Sequence, residues 1–276
     1  MNYELIDSGG GRRLEKWGKY ILDRPDPEVL WQKTLPESGW ELASAKFENG
    51  WENIDVPEKW EMEHNGLKFW AKLTPFKHTG IFPEQESQWD YIYEKLKDKN
   101  ENVLCLFAYT GVATIFAAKA GATVTHVDAS KPAITWANEN RDLNGMQDAP
   151  IRWIVDDVSK FVAREVKRGV KYDAIIMDPP VYGHGTKGET WDFGKDFPKL
   201  LENCRQLLSD SPLFVLVNAY AVSSSSTTLA NTLQGILSEF EGSVENGELI
   251  LTESSLRARG SMGRRLSTGI WARWDK

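Results

Sequence analysis

The chain has 276 residues, 41% of them hydrophobic and 26% charged, which supplies a sizeable core and excludes a disordered, collagenous or low-complexity protein. Thirty-three basic and forty acidic residues leave a net charge of −7; this excludes a polycation wrapped along its whole length on nucleic acid, but not a local basic patch. Two cysteines, Cys105 and Cys204, are too few for a disulfide framework or a four-thiolate zinc site, and no apolar run approaches the ~18 residues of a membrane helix.

The start is polar and contains acids, unlike a secretion signal or a transit peptide. The expectation is a cytoplasmic protein with no metal and no membrane partner. Residues 1–75 alternate short aromatic runs with Gly, Pro, Asn and Asp, and predict a small β-rich domain. Trp60-Glu61-Met62-Glu63, the turn His64-Asn65-Gly66 and the alternating Leu67 to Leu73 read as a hairpin. Trp17, Trp31, Trp40, Trp51, Trp60 and Trp70 are expected to form that domain's core rather than a base-stacking surface.

Residues 76–276 are expected to form the second domain. Strands are predicted at Val103–Phe107, Thr123–Val127, Ile151–Val155, Tyr172–Met177 and Leu213–Val217. Helices are predicted between and after them at Val112–Ala120, Pro132–Leu143 (with Ser130 as N-cap), Val158–Val166, Lys195–Leu208 and Thr227–Phe240. Gly247–Thr252 and Ser267–Trp274 follow as strands with no helix between them. Strand–helix alternation implies parallel pairing with helices on both faces. The expected fold is therefore α/β, a seven-stranded mostly parallel sheet closed by an antiparallel hairpin.

Ligands of such sheets sit at the carboxyl ends of the strands. The first end is Phe107-Ala108-Tyr109-Thr110-Gly111, where one glycine permits close backbone approach. It lacks the three glycines of a pyrophosphate-binding fingerprint, which argues against a nicotinamide dinucleotide. At the second end, Asp128-Ala129-Ser130, a carboxylate can accept hydrogen bonds from a ribose diol; a helix-start acid is the alternative. Asp156 and Asp157 close the third strand. Asp157 reads as an acceptor for an exocyclic amine, slightly ahead of a helix cap. The fourth strand ends in Asp178-Pro179-Pro180-Val181-Tyr182, the sharpest signal. It is a stiff turn whose carboxylate and exposed carbonyl can hold an amino group beside a stacking aromatic.

On these residues the chain resembles the class I S-adenosylmethionine-dependent methyltransferases. It is similar to the subgroup of bacterial large-subunit ribosomal RNA methyltransferases that make 5-methylcytosine and 7-methylguanine. The resemblance runs from about Lys72 to the C-terminus and implies a Rossmann-like domain with S-adenosyl-L-methionine as cofactor. Leu106 to Gly111, Val127 to Ser130, Asp157 with Val158 and Phe161, and Asp178-Pro179-Pro180 resemble the subgroup's four motifs in order. His78, Thr79, Phe82 and Gln85, in His78-Thr79-Gly80-Ile81-Phe82-Pro83-Glu84-Gln85, resemble a stretch that covers the cofactor there. The RNA-binding PUA domain of some relatives is not recognisable.

The 5-methylcytosine enzymes use a cysteine at a strand end, whereas Cys105 lies inside a strand and Cys204 in a helix. Direct in-line transfer is therefore expected, with Asp178, Pro179, Pro180 and Tyr182 as the acceptor-positioning residues. Arg257, Arg259, Arg264 and Arg265 stand between the last two strands, and are expected to contact RNA phosphates; surface pairing is the alternative. Ribosomal or other structured RNA is the expected partner. Other readings are a protein or small-molecule methyltransferase, a nicotinamide-dependent oxidoreductase, and a non-catalytic RNA-binding protein.

Overall fold

A computed structural model describes residues 1–184, 188, 190–255, 260 and 262–276. The chain forms two compact units, residues 1–86 with 250–268 and residues 87–249 with 269–276. The division expected after residue 75 falls inside the first unit, and a late segment of the chain returns to it.

In the first unit β1 (Tyr3–Gly9), β2 (Arg12–Trp17), β3 (Tyr20–Pro25), β4 (Ala45–Phe47) and β5 (Trp51–Glu52) pair in sequence order. A short helix, α1 (Glu37–Trp40), precedes β4, and β6 (Trp60–His64) and β7 (Leu67–Ala71) form the expected hairpin. Trp17, Trp40 and Trp60 are buried, whereas Trp31, Trp51 and Trp70 are half-buried. The core includes charge. Arg24 grips the fully buried Glu15 with two bonds of 2.6 and 2.7 Å, and the Tyr3 hydroxyl donates to the same carboxylate at 2.7 Å. Burial opposes ionisation of Glu15, but Arg13 and Arg24 outweigh it and hold the carboxyl below its ordinary range.

The second unit begins with α2, Glu86–Leu96, whose first residue still belongs to the first unit. There follow β8 (Asn102–Leu106), α3 (Val112–Lys119), β9 (Thr123–Asp128), α4 (Lys131–Leu143), β10 (Ile151–Val155), α5 (Val158–Arg168) and β11 (Ala174–Met177). A small ribbon, β12 (Tyr182–His184) with β13 (Thr190–Asp192), leads into α6 (Phe193–Leu207). Then come β14 (Phe214–Ala219), α7 (Ser226–Ile236), β15 (Ser243–Thr252) and β16 (Arg265–Asp275). Among the described residues the large sheet has the order β10-β9-β8-β11-β14-β16-β15, parallel through β14 and closed by β16 antiparallel to it. This is the fold expected from the sequence.

Every residue of β11 and β14 is buried, as central strands covered on both faces require. Alternation sends Ile175, Met177, Val215 and Val217 into a core with Phe161 of α5, Phe197 and Leu201 of α6 and Leu229 of α7. The opposite face carries α2 and α3, where Trp89 stacks on Phe116 at 5.9 Å. Among the described residues no helix is long and apolar enough to cross a membrane.

Candidate active site at the strand ends

Strand register places five groups side by side. Leu106 lies opposite Val127 and Met177, so Phe107 leaves the sheet between Asp128 and Asp178. Val155 lies opposite Asp128, which puts Asp156 at the next end. Met177 lies opposite Val217, which sets Asn218 beside Asp178.

The loop after β8 is strained. Phe107 has φ 52°, Tyr109 48° and Gly111 78°, a left-handed conformation that costs the two non-glycine residues on the order of 1–3 kcal/mol each. Its surroundings hold it there. Asp128 Oδ2 accepts the Tyr109 N–H at 2.9 Å, and buried Asn140 donates to the Thr110 carbonyl at 2.9 Å. Gly111 begins α3, and a Cβ in its place would meet Ala137 Cβ at 2.9 Å. Asp128 Oδ1 also takes the Ser130 N–H at 2.7 Å, and Ser130 caps α4 by accepting from Ala133. Burial raises the Asp128 pKa, and the two backbone bonds oppose that rise. Burial and the Asp128 charge push the Tyr109 phenol up to about 12.

At the third end the cap reading is the one realised. Asp157 Oδ1 accepts the Lys160 N–H at 2.9 Å and starts α5. Asp156 accepts the Asp157 N–H and pairs with Arg164. Both acids thus serve the helix start, and the amine-acceptor role expected of Asp157 gains no support from these bonds.

Asp178 is half-buried, and its N–H points to the Leu106 carbonyl at 3.3 Å. Pro179 is buried and Pro180 exposed. The Pro180 carbonyl accepts the indole N–H of Trp191 at 2.6 Å, and the same ring lies 5.0 Å from that of Phe107. One side chain therefore braces the Asp-Pro-Pro turn and touches the strained loop. Tyr182 faces solvent on β12, opposite Asp192.

Three residues of this site were not singled out in the sequence. Trp191 and Asn140 act through contacts distant in the chain and carry no local signature. Asn218 was visible as a polar residue ending an apolar strand. It is buried, and its Oδ1 has no hydrogen-bond partner among the described residues.

The remaining expected residues lie elsewhere. His78, Thr79, Phe82 and Gln85 belong to the first unit, with Thr79 and Gln85 buried and the His78 ring tilted against Phe82 at 5.8 Å. Arg257 and Arg259 lie outside the described residues. Arg264, just before β16, donates to the Gln32 carbonyl at 2.8 Å and Thr34 Oγ1 at 2.9 Å, within the first unit. Arg265 is exposed.

A sequence model described as S-adenosylmethionine-dependent methyltransferase matches residues 41–235. The chain belongs to that family. The methyltransferase is 40% identical to the crystal structure of the SAM-dependent methyltransferase from Agrobacterium tumefaciens, with a TM-score of 0.95, over 100% of this chain and 90% of that one. It is 35% identical over 158 residues to ribosomal RNA large subunit methyltransferase K/L of Shewanella frigidimarina, covering 56% of this chain and 22% of the relative. It is 31% identical over 156 residues to ribosomal RNA large subunit methyltransferase K of Neisseria meningitidis serogroup B, covering 56% and 44%. The chain thus spans less than half the length of these curated relatives. A methyltransferase structure complexed with SAH shares the fold at 17% identity and a TM-score of 0.74.

S-adenosylmethionine is the cofactor, and the residues present fit it. The turn at Gly111 has no space for a side chain, and the raised, loop-bound Asp128 keeps lone pairs suited to a ribose diol. No phosphate cradle is needed. Bound there, the cofactor supplies a methyl group already activated by its sulfonium.

Proposed function

We propose that this methyltransferase modifies a base of ribosomal or other structured RNA in the cytoplasm, by direct transfer without a cysteine nucleophile. The observation that carries the reading is the Asp178-Pro179-Pro180 turn, set next to the strained Phe107–Gly111 loop and braced by Trp191. The ribosomal names of the K/L and K relatives support the substrate class. Both cysteines support the absence of a covalent step. Burial pushes the Cys105 thiol up to about 12, and the Cys204 thiol is also raised far above its ordinary range.

The geometry supports the following roles. Phe107 to Gly111, Asp128, Ala129 and Ser130 position the donor. In this reading the Asp178 carboxylate and the Pro179 carbonyl accept the acceptor's amino hydrogens, next to a Pro180 carbonyl that takes the Trp191 N–H. The protein's contribution is then alignment of donor and acceptor, which can lower such a barrier by about 7–11 kcal/mol. Arg265 is an exposed cation available to the RNA backbone.

The test uses tritiated S-adenosylmethionine and total RNA from cells lacking the gene. Asp178→Ala and Asp178→Asn should lose transfer by at least 100-fold, about 2.7 kcal/mol in barrier, with calorimetric cofactor affinity within twofold of the parent. Full activity in Asp178→Ala would remove Asp178 from the mechanism. Label in protein and none in RNA would replace the substrate class.

A further inference from the structure

Cations are spread unevenly over this chain, whose net charge is −7. Between residues 152 and 171 six of them, Arg152, Lys160, Arg164, Lys167, Arg168 and Lys171, stand against three acids, Asp156, Asp157 and Glu165. All six cations are exposed, whereas Glu165 is buried and the two aspartates are half-buried. α5 itself carries four cations and one acid. No other described helix of the second unit has an excess of more than one cation: α2 is acidic, α4 and α7 are balanced, and α3 and α6 each carry one extra.

The excess lies on one face. From Lys160 to Lys171 the cations recur every three or four positions, which sets them along one side of α5 and the turn after it. Val158, Phe161, Val162 and Glu165 are the buried side. From Lys160 to Arg168 the stripe is about 12 Å long, long enough to meet more than one phosphate of a strand. Arg152 joins it from the edge strand β10, its guanidinium 5.8 Å from the centre of the Phe161 ring and 3.6 Å from Glu165.

Stability accounts for only part of this arrangement. Glu165 is held by Arg168 at 2.8 Å and by Arg152, and Arg164 pairs with Asp156. Those arginines still leave 57%, 51% and 45% of their side chains exposed. Lys167 and Arg168 complement the macrodipole at the helix C-terminus. Lys160 does the opposite, since it stands in the first turn beside the cap Asp157, where the macrodipole disfavours a cation. An exposed row of cations, in excess of the acids beside it, suits a partner that carries its own row of anions. Phe161, the one aromatic residue of α5, is buried, so the helix offers no platform for a base and can hold only a backbone.

We propose that the α5 stripe, with Arg152, is a contact surface for the phosphate backbone of the RNA substrate. The proposal rests on the RNA reading above. It makes α5 a determinant of affinity and of how the RNA lies, because phosphate contacts fix register without reading sequence.

The experiment removes three charges at each of two places. Lys160→Gln, Lys167→Gln and Lys171→Gln are combined in the stripe, which leaves intact the arginines that cover buried Glu165. Lys97→Gln, Lys99→Gln and Lys119→Gln are combined as a control; these lysines are exposed at and after the ends of α2 and α3, on the other face of the sheet. Filter retention of total RNA from cells lacking the gene is measured over a salt series, with thermal unfolding, cofactor affinity and methyl transfer. The stripe variant should bind RNA on the order of 10-fold more weakly at about 0.1 M salt, with a log–log salt slope shallower by about 2. Its KM for RNA should rise by a similar factor, while kcat and cofactor affinity stay within twofold of the parent. The control should match the parent. Should the triple variant unfold early, its three single variants are read instead, each expected to flatten the slope by about 0.7. Parent-like binding and slope in the stripe variants overturn the proposal and leave the RNA reading standing. Equal losses in stripe and control also overturn it, since net charge alone would then be responsible. A parent that neither retains nor labels RNA overturns the RNA reading and this proposal with it.

Discussion

At Gly111 a methyl group would stand 2.9 Å from the Ala137 side chain, on a backbone already at φ 78°. Gly111→Ala should therefore destabilise the protein by about 1–3 kcal/mol and weaken S-adenosylmethionine binding, read by denaturant unfolding and calorimetry. Adding Ala137→Gly should restore the part due to the clash and leave the part due to φ. A single variant as stable and as tightly binding as the parent would show that the loop relaxes freely. His126 makes a second prediction at this scale. It is fully buried beneath the loop, bonded to Thr114 Oγ1 at 2.9 Å, and burial pushes its pKa down to about 3. The unfolded chain, near 6.5, binds the proton that the folded chain refuses. Stability attributable to His126 is thus full above about pH 6.5 and falls as pH drops towards 3, by up to about 1.4 kcal/mol per unit. Denaturation across that range should show a shallower acid slope in His126→Gln. An identical slope would mean that the imidazole is protonated in the folded state.

The short ribbon between β11 and α6 holds the acceptor turn in place through one indole. Trp191→Phe keeps a ring against Phe107 but loses the bond to the Pro180 carbonyl. Its kcat should fall about 10-fold, in line with one hydrogen bond of about 1 kcal/mol or slightly more, with little change in cofactor affinity. A drop in cofactor affinity alone would place the indole's effect on the Phe107 loop instead. Element by element, legibility followed burial. β8, β9, β11 and β14 are continuous apolar runs and could be read directly, as could the Ser130 cap and the Gly111 turn. β1, β2 and β3 could not, because Asp7, Arg13, Glu15, Asp23 and Arg24 occupy buried positions and break the alternation that marks a strand. Arg24 pairs with Glu15 and Arg12 with Asp23 across neighbouring strands, while Asp7 accepts the Thr34 and Leu35 N–H groups, which is why the pattern becomes intelligible only in the fold. Asp157 shows the converse: the sequence favours a ligand slightly over a cap, and the Lys160 N–H on its carboxylate shows the cap.

For the whole molecule, the family, the mostly parallel seven-stranded sheet and the cofactor agree with what the resemblance of the strand-end motifs implies. Of the four arginines expected at the RNA, Arg264 bonds the first unit's own loop and Arg265 is exposed. Direct transfer predicts that Cys105→Ala with Cys204→Ala keeps methyl transfer to RNA within a few-fold, provided the doubly substituted protein remains folded. Abolished transfer in a folded double variant would restore a covalent route.

The first unit is discontinuous in the chain. Leu251 and Leu266 pack with Leu5 and Val29, and buried Glu253 accepts the Ser8 N–H at 2.9 Å. During synthesis those early residues must wait for partners made more than two hundred residues later. The amino-terminal sheet is thus the first part translated and among the last completed. Until then Leu5, Val29 and Ser8 lack the cover they have in the finished protein. For the same reason, the boundary of any excised amino-terminal fragment cannot be chosen by cutting the sequence once.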